Sequence, residues 1–244
     1  MNNLPDPDSL TPAGKPPTAP GKTGWNRPLT GRLDRLRAWV NMIFIDHAFF
    51  RMAYLNLHRL SADAWRAAQP LPYQITRLAR KKGLKSIVSL RGGQGFGSLA
   101  LELEACKKSG VSFEIFGLRS RALPTAEEIL AADKLFQEIT YPVLFHCKSG
   151  ADRAGIMSAL FLILREAVPV SQAKEQLSLR FGHIRQGKTG VLDAMFDAYL
   201  ADQPDETMPF LEWTQTRYDP DAITNAFQSG QIGAFLSDTV LRRE

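Results

Sequence analysis

Cys147 and Arg153 stand six positions apart in the run His146-Cys-Lys-Ser-Gly-Ala-Asp-Arg-Ala-Gly155, with Gly150 between them. A cysteine thiolate is a competent nucleophile at neutral pH. An arginine fork can hold two oxygens of a phosphate and offset the charge that builds up during transfer. Gly150 permits a tight backbone turn, and Gly155 leaves room for close packing behind it. His146 is placed to fix the backbone of Cys147. Together these residue types describe attack by sulfur on a bound anion.

Such chemistry needs elements that hold the loop in shape. Tyr141-Pro-Val-Leu-Phe145 is a short apolar run that reads as a buried strand, and Ile156-Met-Ser-Ala-Leu-Phe-Leu-Ile-Leu-Arg165 is a strong helix former. A strand, a tight loop and a helix N-terminus make an anion cradle, because loop N–H groups and the helix dipole converge on one point. Lys148, Ser149, Gly150 and Ala151 then line the cradle as substrate-binding positions. Cys147 sits where those groups favour its thiolate.

These residues resemble the signature loop of the cysteine-dependent phosphatase superfamily, which includes the tyrosine and dual-specificity phosphatases. The family pattern is His-Cys, five residues, Arg, then Ser or Thr, and it is met at His146, Cys147, Gly150 and Arg153. The resemblance implies a phosphocysteine intermediate on Cys147 and phosphate binding by Arg153, with no metal or other cofactor. The chain departs from the pattern twice. Position 154 is alanine where a hydroxyl usually helps the thiolate leave, which implies slow turnover of the intermediate unless Ser149 substitutes. The stretch Phe116-Gly-Leu-Arg-Ser-Arg-Ala-Leu-Pro-Thr125, where many relatives carry an acid on a mobile loop, holds no carboxylate.

Asp152 takes that place as candidate proton donor, as in myotubularin-type and some bacterial phosphatases with a Gly-x-Asp-Arg loop. A positioned carboxylic acid contributes about 10²–10⁴ in rate. The alternative role for Asp152 is to cap the helix or pair with a loop arginine. Glu128 is explained without chemistry, since Thr125-Ala-Glu-Glu128 is a capping box. Arg119 and Arg121 lie where relatives carry the mobile acid. With Lys148 they would make the mouth of the site basic, or else they are solvated surface residues.

Gly182-His-Ile-Arg-Gln-Gly-Lys-Thr189 matches the string of a nucleotide-binding P-loop, which requires a buried strand before it. Residues 171–181 read instead as a polar helix with Ser171 as N-cap. The segment is therefore expected to be a turn between helices beside the signature loop, with Gln186 and Lys188 as weak candidates to face substrate.

The remaining pattern alternates strands and helices. Strands are expected at 64–70, 85–90 and 111–116, and helices at 72–82, 99–108 and 125–138, with Gly83 as a stop. The run Ala64-Trp-Arg-Ala-Ala-Gln-Pro70 resembles the Arg-x-x-Gln-Pro entry of bacterial dual-specificity-like relatives, and Gly92–Gly97 reads as a flexible turn. The alternation implies an α/β fold with a mostly parallel central sheet flanked by helices on both faces. Phosphate binds at the carboxyl ends of such strands.

A chain of 244 residues that is 44 % hydrophobic can bury one sizeable core with extensions. Residues 1–30 hold seven of the fifteen prolines and are expected to be a disordered tail. Residues 31–57 are rich in Trp, Phe, Ile and Met but are interrupted by Asp46, His47 and Arg51. They read as a helix packed on the domain, or as a membrane-surface helix flanked by Arg32, Arg35 and Arg37. The phosphatase domain is expected over 58–204, with 205–244 packing back on it.

The net charge of +5 is spread along the chain, so nucleic acid is not an expected partner. Phosphorylated proteins and phospholipids are, with peripheral membrane contact in the second case. Two cysteines exclude a disulfide framework and suit the cytoplasm, and no Cys/His cluster has metal spacing. Cys106 reads as a buried helix residue. The expected function is a protein tyrosine or dual-specificity phosphatase. The alternatives are a phosphoinositide or phospholipid phosphatase, or a phosphate-binding module with little turnover.

Overall fold

The structure is a computed structural model that describes residue 25, residues 29–92 and residues 95–241. The rest of the expected Pro-rich tail, 1–24 and 26–28, lies outside the described residues, as do 93–94 of the turn after Arg91.

Five strands form one sheet: β1 (His58–Arg59), β2 (Ala64–Ala68), β3 (Ser86–Ser89), β4 (Ser112–Ile115) and β5 (Val143–Cys147). Their order is β1-β2-β5-β3-β4, antiparallel only between β1 and β2. β5 is the central strand. Its register sets Cys147 beside Ala68 and His146 beside Ser89, at the carboxyl ends of three parallel strands. Every residue of β2, β3 and β5 is buried, as expected of strands covered on both faces.

Helices cover both faces. α3 (Pro72–Lys82) and α4 (Gly97–Ser109) pack on one side. There Leu144 and Ile87 meet Trp65, Ile75, Leu78 and Cys106. α5 (Ala126–Glu138), α6 (Asp152–Glu166) and α8 (Val191–Asp202) cover the other side. Val143, Phe145 and Cys147 point there into a larger core with Phe136, Phe161 and Phe196. The period-2 alternation along β5 thus divides the two cores. α3 begins with Pro72 at its first position and ends at Gly83, φ 66°, a start and stop of the kind both residues favour. The Thr125–Glu128 capping box opens α5, with Thr125 Oγ1 accepting from Glu128 N at 3.2 Å and Glu128 Oε2 accepting from Thr125 N at 2.8 Å.

The N-terminal segment is α1 (Gly31–Val40), a widened turn over Asn41–Ile45, and α2 (Phe49–Ala53). α1 packs on the start of α4 so closely that a Cβ on Gly97 would lie 2.5 Å from Ala38 O. After α8, α9 (Phe210–Thr216) rests on α5 and α6, and α10 (Pro220–Leu241) on α8. Trp213 is buried, edge-on to Tyr199. No helix among the described residues is long and apolar enough to cross a membrane.

One expected helix is broken up. Residues 170–181 form the short α7 (Val170–Ala173) and two 3₁₀ turns, Lys174–Gln176 and Leu179–Phe181. The N-cap is Pro169, not Ser171. The break lets the Gln176 carbonyl and Leu177 approach Gly155, where a Cβ would meet them at 2.9 and 2.7 Å.

Candidate active site

Cys147 ends β5, and α6 starts five residues later at Asp152. The four peptides between them are turned by the scaffold. Gln69 N donates to Lys148 O at 3.5 Å, and Asn56 Nδ2 to Ser149 O at 3.0 Å. Arg66 Nη2 donates to Gly150 O at 2.7 Å and Ala151 O at 2.9 Å. A trans peptide points its C=O and the next N–H in opposite directions. Holding these carbonyls against the scaffold therefore turns the N–H groups of 149–152 the other way. The Gly150 N–H accordingly donates to Cys147 Sγ at 3.2 Å. Gly150 has φ 78°, and a Cβ there would stand 2.6 Å from Ala68 N, so the turn requires glycine on both counts.

Arg66 organises this loop. It is fully buried, donates further from Nη1 to Gln176 O at 2.6 Å and Oε1 at 2.9 Å, and lies 4.1 Å over the Phe181 ring. Burial lowers its pKa to about 10, an effect that Cys147 and Asp152 oppose. At neutral pH it is a permanent cation behind the loop.

Arg153 stands in the first turn of α6, and its Nη1 donates to Leu90 O at 3.3 Å, across the end of β3. Ala154 is fully buried. Ser149 Oγ accepts from Ala151 N at 3.4 Å, inside the loop. His146 is buried, with Nδ1 3.4 Å from Cys147 O. Its Nε2 lies 2.9 Å from Glu102 Oε1, at ion-pair distance but without hydrogen-bond alignment.

From Glu102 a buried polar chain leads back to the loop. Gln69 Nε2 donates to Glu102 Oε2 at 2.6 Å, and Arg91 donates to Gln69 Oε1 and to both oxygens of Asp46. Asp46 also accepts from Arg51 at 2.9 Å and Ser98 Oγ at 2.8 Å, and its Oδ1 is 3.4 Å from Lys148 Nζ. Burial would raise the pKa of Asp46, but Arg91 and Arg51 outweigh it and hold the carboxyl well below the usual carboxylate range. Asp46 and Arg51, which interrupt the apolar pattern of 31–57, are thus a buried ion pair that anchors the segment.

Asp152 is engaged as neither cap nor loop-arginine partner. Its Oδ1 is 2.7 Å from His183 Nδ1, and His183 Nε2 is 2.7 Å from Asp193 Oδ2. Burial would lower the His183 pKa, but the hydrogen bonds and charges of Asp152 and Asp193 raise it to about 9. The imidazolium is clamped between two carboxylates.

His183 belongs to the segment that matches the P-loop string. A 3₁₀ turn precedes that segment, not a strand, and it packs beside the signature loop, Gly182 approaching Ala151. Gln186 and Lys188 are exposed there. Arg119 donates to Leu123 O at 3.0 Å and Glu128 Oε2 at 2.9 Å, and Arg121 is exposed. Cys106 lies in the opposite core from Cys147, its pKa raised by burial.

Arg66, Asn56, Asp46, Glu102 and His183 went unassigned at the level of sequence. Arg66 alone left a signal, as the arginine of the Arg-x-x-Gln-Pro run.

Residues 111–173, from the start of β4 through the loop and α6, match the model of a tyrosine phosphatase family. Over this segment the chain is similar to the tyrosine phosphatases, and the match supports a phosphatase. Solved structures similar to it include P. aeruginosa TpbA, 21 % identical over 71 % of this chain and 91 % of that one, with a TM-score of 0.48. PTPMT1 is 17 % identical over 62 % of this chain and 99 % of that one, TM-score 0.46. The core catalytic domain of the PP-IP phosphatase SIW14 from S. cerevisiae is 16 % identical over 62 % and 92 %, TM-score 0.47. No curated protein matches the chain.

Proposed function

We propose that the protein is a cysteine-dependent phosphomonoesterase of the protein tyrosine or dual-specificity type, its domain spanning about 58–204. One observation carries this reading: a buried cysteine at the end of a central parallel strand, inside a loop whose carbonyls are all held by the scaffold. Such a loop offers its amides to an anion at the sulfur.

In the proposed reaction the Cys147 thiolate attacks phosphorus in line. An S–P bond forms as the bond to the leaving oxygen breaks. Amides of 149–152 and the Arg153 guanidinium hold the equatorial oxygens, with Leu90 O fixing the Arg153 fork. Asp152 passes to the leaving oxygen the proton it shares with the His183 imidazolium, and the pair takes a proton back from the attacking water in the second step. Water then attacks the phosphocysteine, the S–P bond breaks, and inorganic phosphate leaves with the thiolate restored. With Ala154 offering no hydroxyl, this second step is the slower.

The test is hydrolysis of an aryl phosphate at pH 5 to 8 in chelator, wild type against Cys147→Ser. Turnover abolished by the substitution is the expected result. Equal turnover in both would overturn the proposal. Tight vanadate binding without turnover would recast the protein as a phosphate-binding module.

A further inference from the structure

Nine of the thirteen exposed large apolar side chains among the described residues fall between 33 and 54. This is a concentrated face. Leu33, Leu36, Val40 and Phe44 recur every three or four residues along α1 and its widened continuation, so they share one side. Phe49 and Phe50 of α2 extend it, and these six side chains are 46–72 % exposed. The opposite side, Asp34, Ala38 and Met42, is the one buried against the domain.

Charge identifies what covers this face. Within 31–54 the exposed Arg, Lys, Asp and Glu side chains are Arg32, Arg35 and Arg37, all basic; Arg35 is paired with Glu104 of α4 at 2.9 Å, so the rim charge rests on Arg32 and Arg37. Both acidic residues of the segment, Asp34 and Asp46, are buried. A second copy of the chain docking symmetrically would bring arginine clusters together. An apolar protein groove would not call for the basic rim. An anionic bilayer meets both features, taking the aromatic and aliphatic side chains below its headgroups and the arginines among them.

We propose that this face docks the protein on membranes rich in anionic phospholipid. Asp46 links the segment to the proposed catalytic loop: its backbone N–H closes the widened turn on Asn41 O at 3.0 Å, and its carboxylate lies 3.4 Å from Lys148 Nζ, next to Cys147. The binding itself does not depend on the phosphatase reading.

The experiment is co-sedimentation of the full chain with vesicles of phosphatidylcholine alone or with one-third phosphatidylglycerol. Wild type is compared with the double variant Phe44→Ser and Phe50→Ser, alongside soluble aryl phosphate hydrolysis by both. Wild type should pellet with anionic vesicles and not with neutral ones. The variant should bind at least about tenfold more weakly, since it loses two membrane-buried rings, at unchanged hydrolysis. Wild type left in the supernatant, or equal pelleting of the variant, would overturn the proposal. So would a solution dimer that the same substitutions dissolve, which would assign the face to a second copy. Binding without hydrolysis in either protein would count against the phosphatase reading alone.

Discussion

Replacing His183 by Gln tests the charge buried under the signature loop. His183 ordinarily titrates near 6.5, but in the fold its pKa is about 9, because Asp152 and Asp193 outweigh the cost of burial. A folded-state pKa above the unfolded one means that the native state holds the extra proton. That stability is fully present below the unfolded value and is lost as pH rises through about 9. The difference amounts to about 3 kcal/mol at most, from a shift between 6.5 and about 9 at ~1.4 kcal/mol per pH unit. Urea unfolding of wild type and His183→Gln at half-unit steps from pH 6 to pH 9.5 reads it directly. The wild type should lose stability steadily above neutrality relative to the variant, which is less stable at pH 6 and nearly flat. Parallel pH curves for the two proteins would refute the clamped imidazolium.

Other perturbations follow from the same geometry. Arg66→Met leaves the carbonyls of Gly150, Ala151 and Gln176 without their buried donor, at a cost on the order of 3 kcal/mol or more. Denaturant unfolding should show that loss and aryl phosphate turnover should vanish with it; unchanged stability would mean that Arg66 does not hold the loop. Gly150→Ala combines φ 78° with a Cβ 2.6 Å from Ala68 N, so it should abolish vanadate binding even where circular dichroism shows a folded domain. Asp152→Asn should lower hydrolysis by about 10²–10⁴-fold for alkyl phosphates and much less for nitrophenyl phosphate, whose leaving group needs little protonation. Equal losses on both substrates would remove Asp152 from the proton-transfer step.

The elements around the loop were legible because their signals are local. Pro72 and Gly83 bracket α3, the Thr125–Glu128 box opens α5, and the apolar run before His146 could only be buried. Cys147, Gly150 and Arg153 were readable as a set because the loop is contiguous. What shapes that loop was not readable, since it is built from distant pairings. Arg66 reaches residues 84 and 110 positions away, and Asn56 spans 93 to Ser149. His183 hid inside a string that matched a nucleotide-binding motif, and its role emerges only once α6 and α8 flank it. The helix expected over 171–181 failed because Gly155 admits Leu177 and the Gln176 carbonyl, and this tertiary contact outweighs local helix preference. The segment 31–57 was ambiguous for the opposite reason: its buried ion pair and its exposed apolar side alternate within one helical pattern.

In the proposed reaction Cys147 carries the phosphoryl group between the two steps. Rapid acid quench of wild-type protein mixed with a labelled aryl phosphate, followed by peptide mass spectrometry, tests it directly. Label should appear on the peptide containing Cys147 within one turnover and persist, because hydrolysis of the intermediate lacks the hydroxyl missing at Ala154. Turnover with no label on Cys147 at any quench time, or label on another residue, would contradict the account.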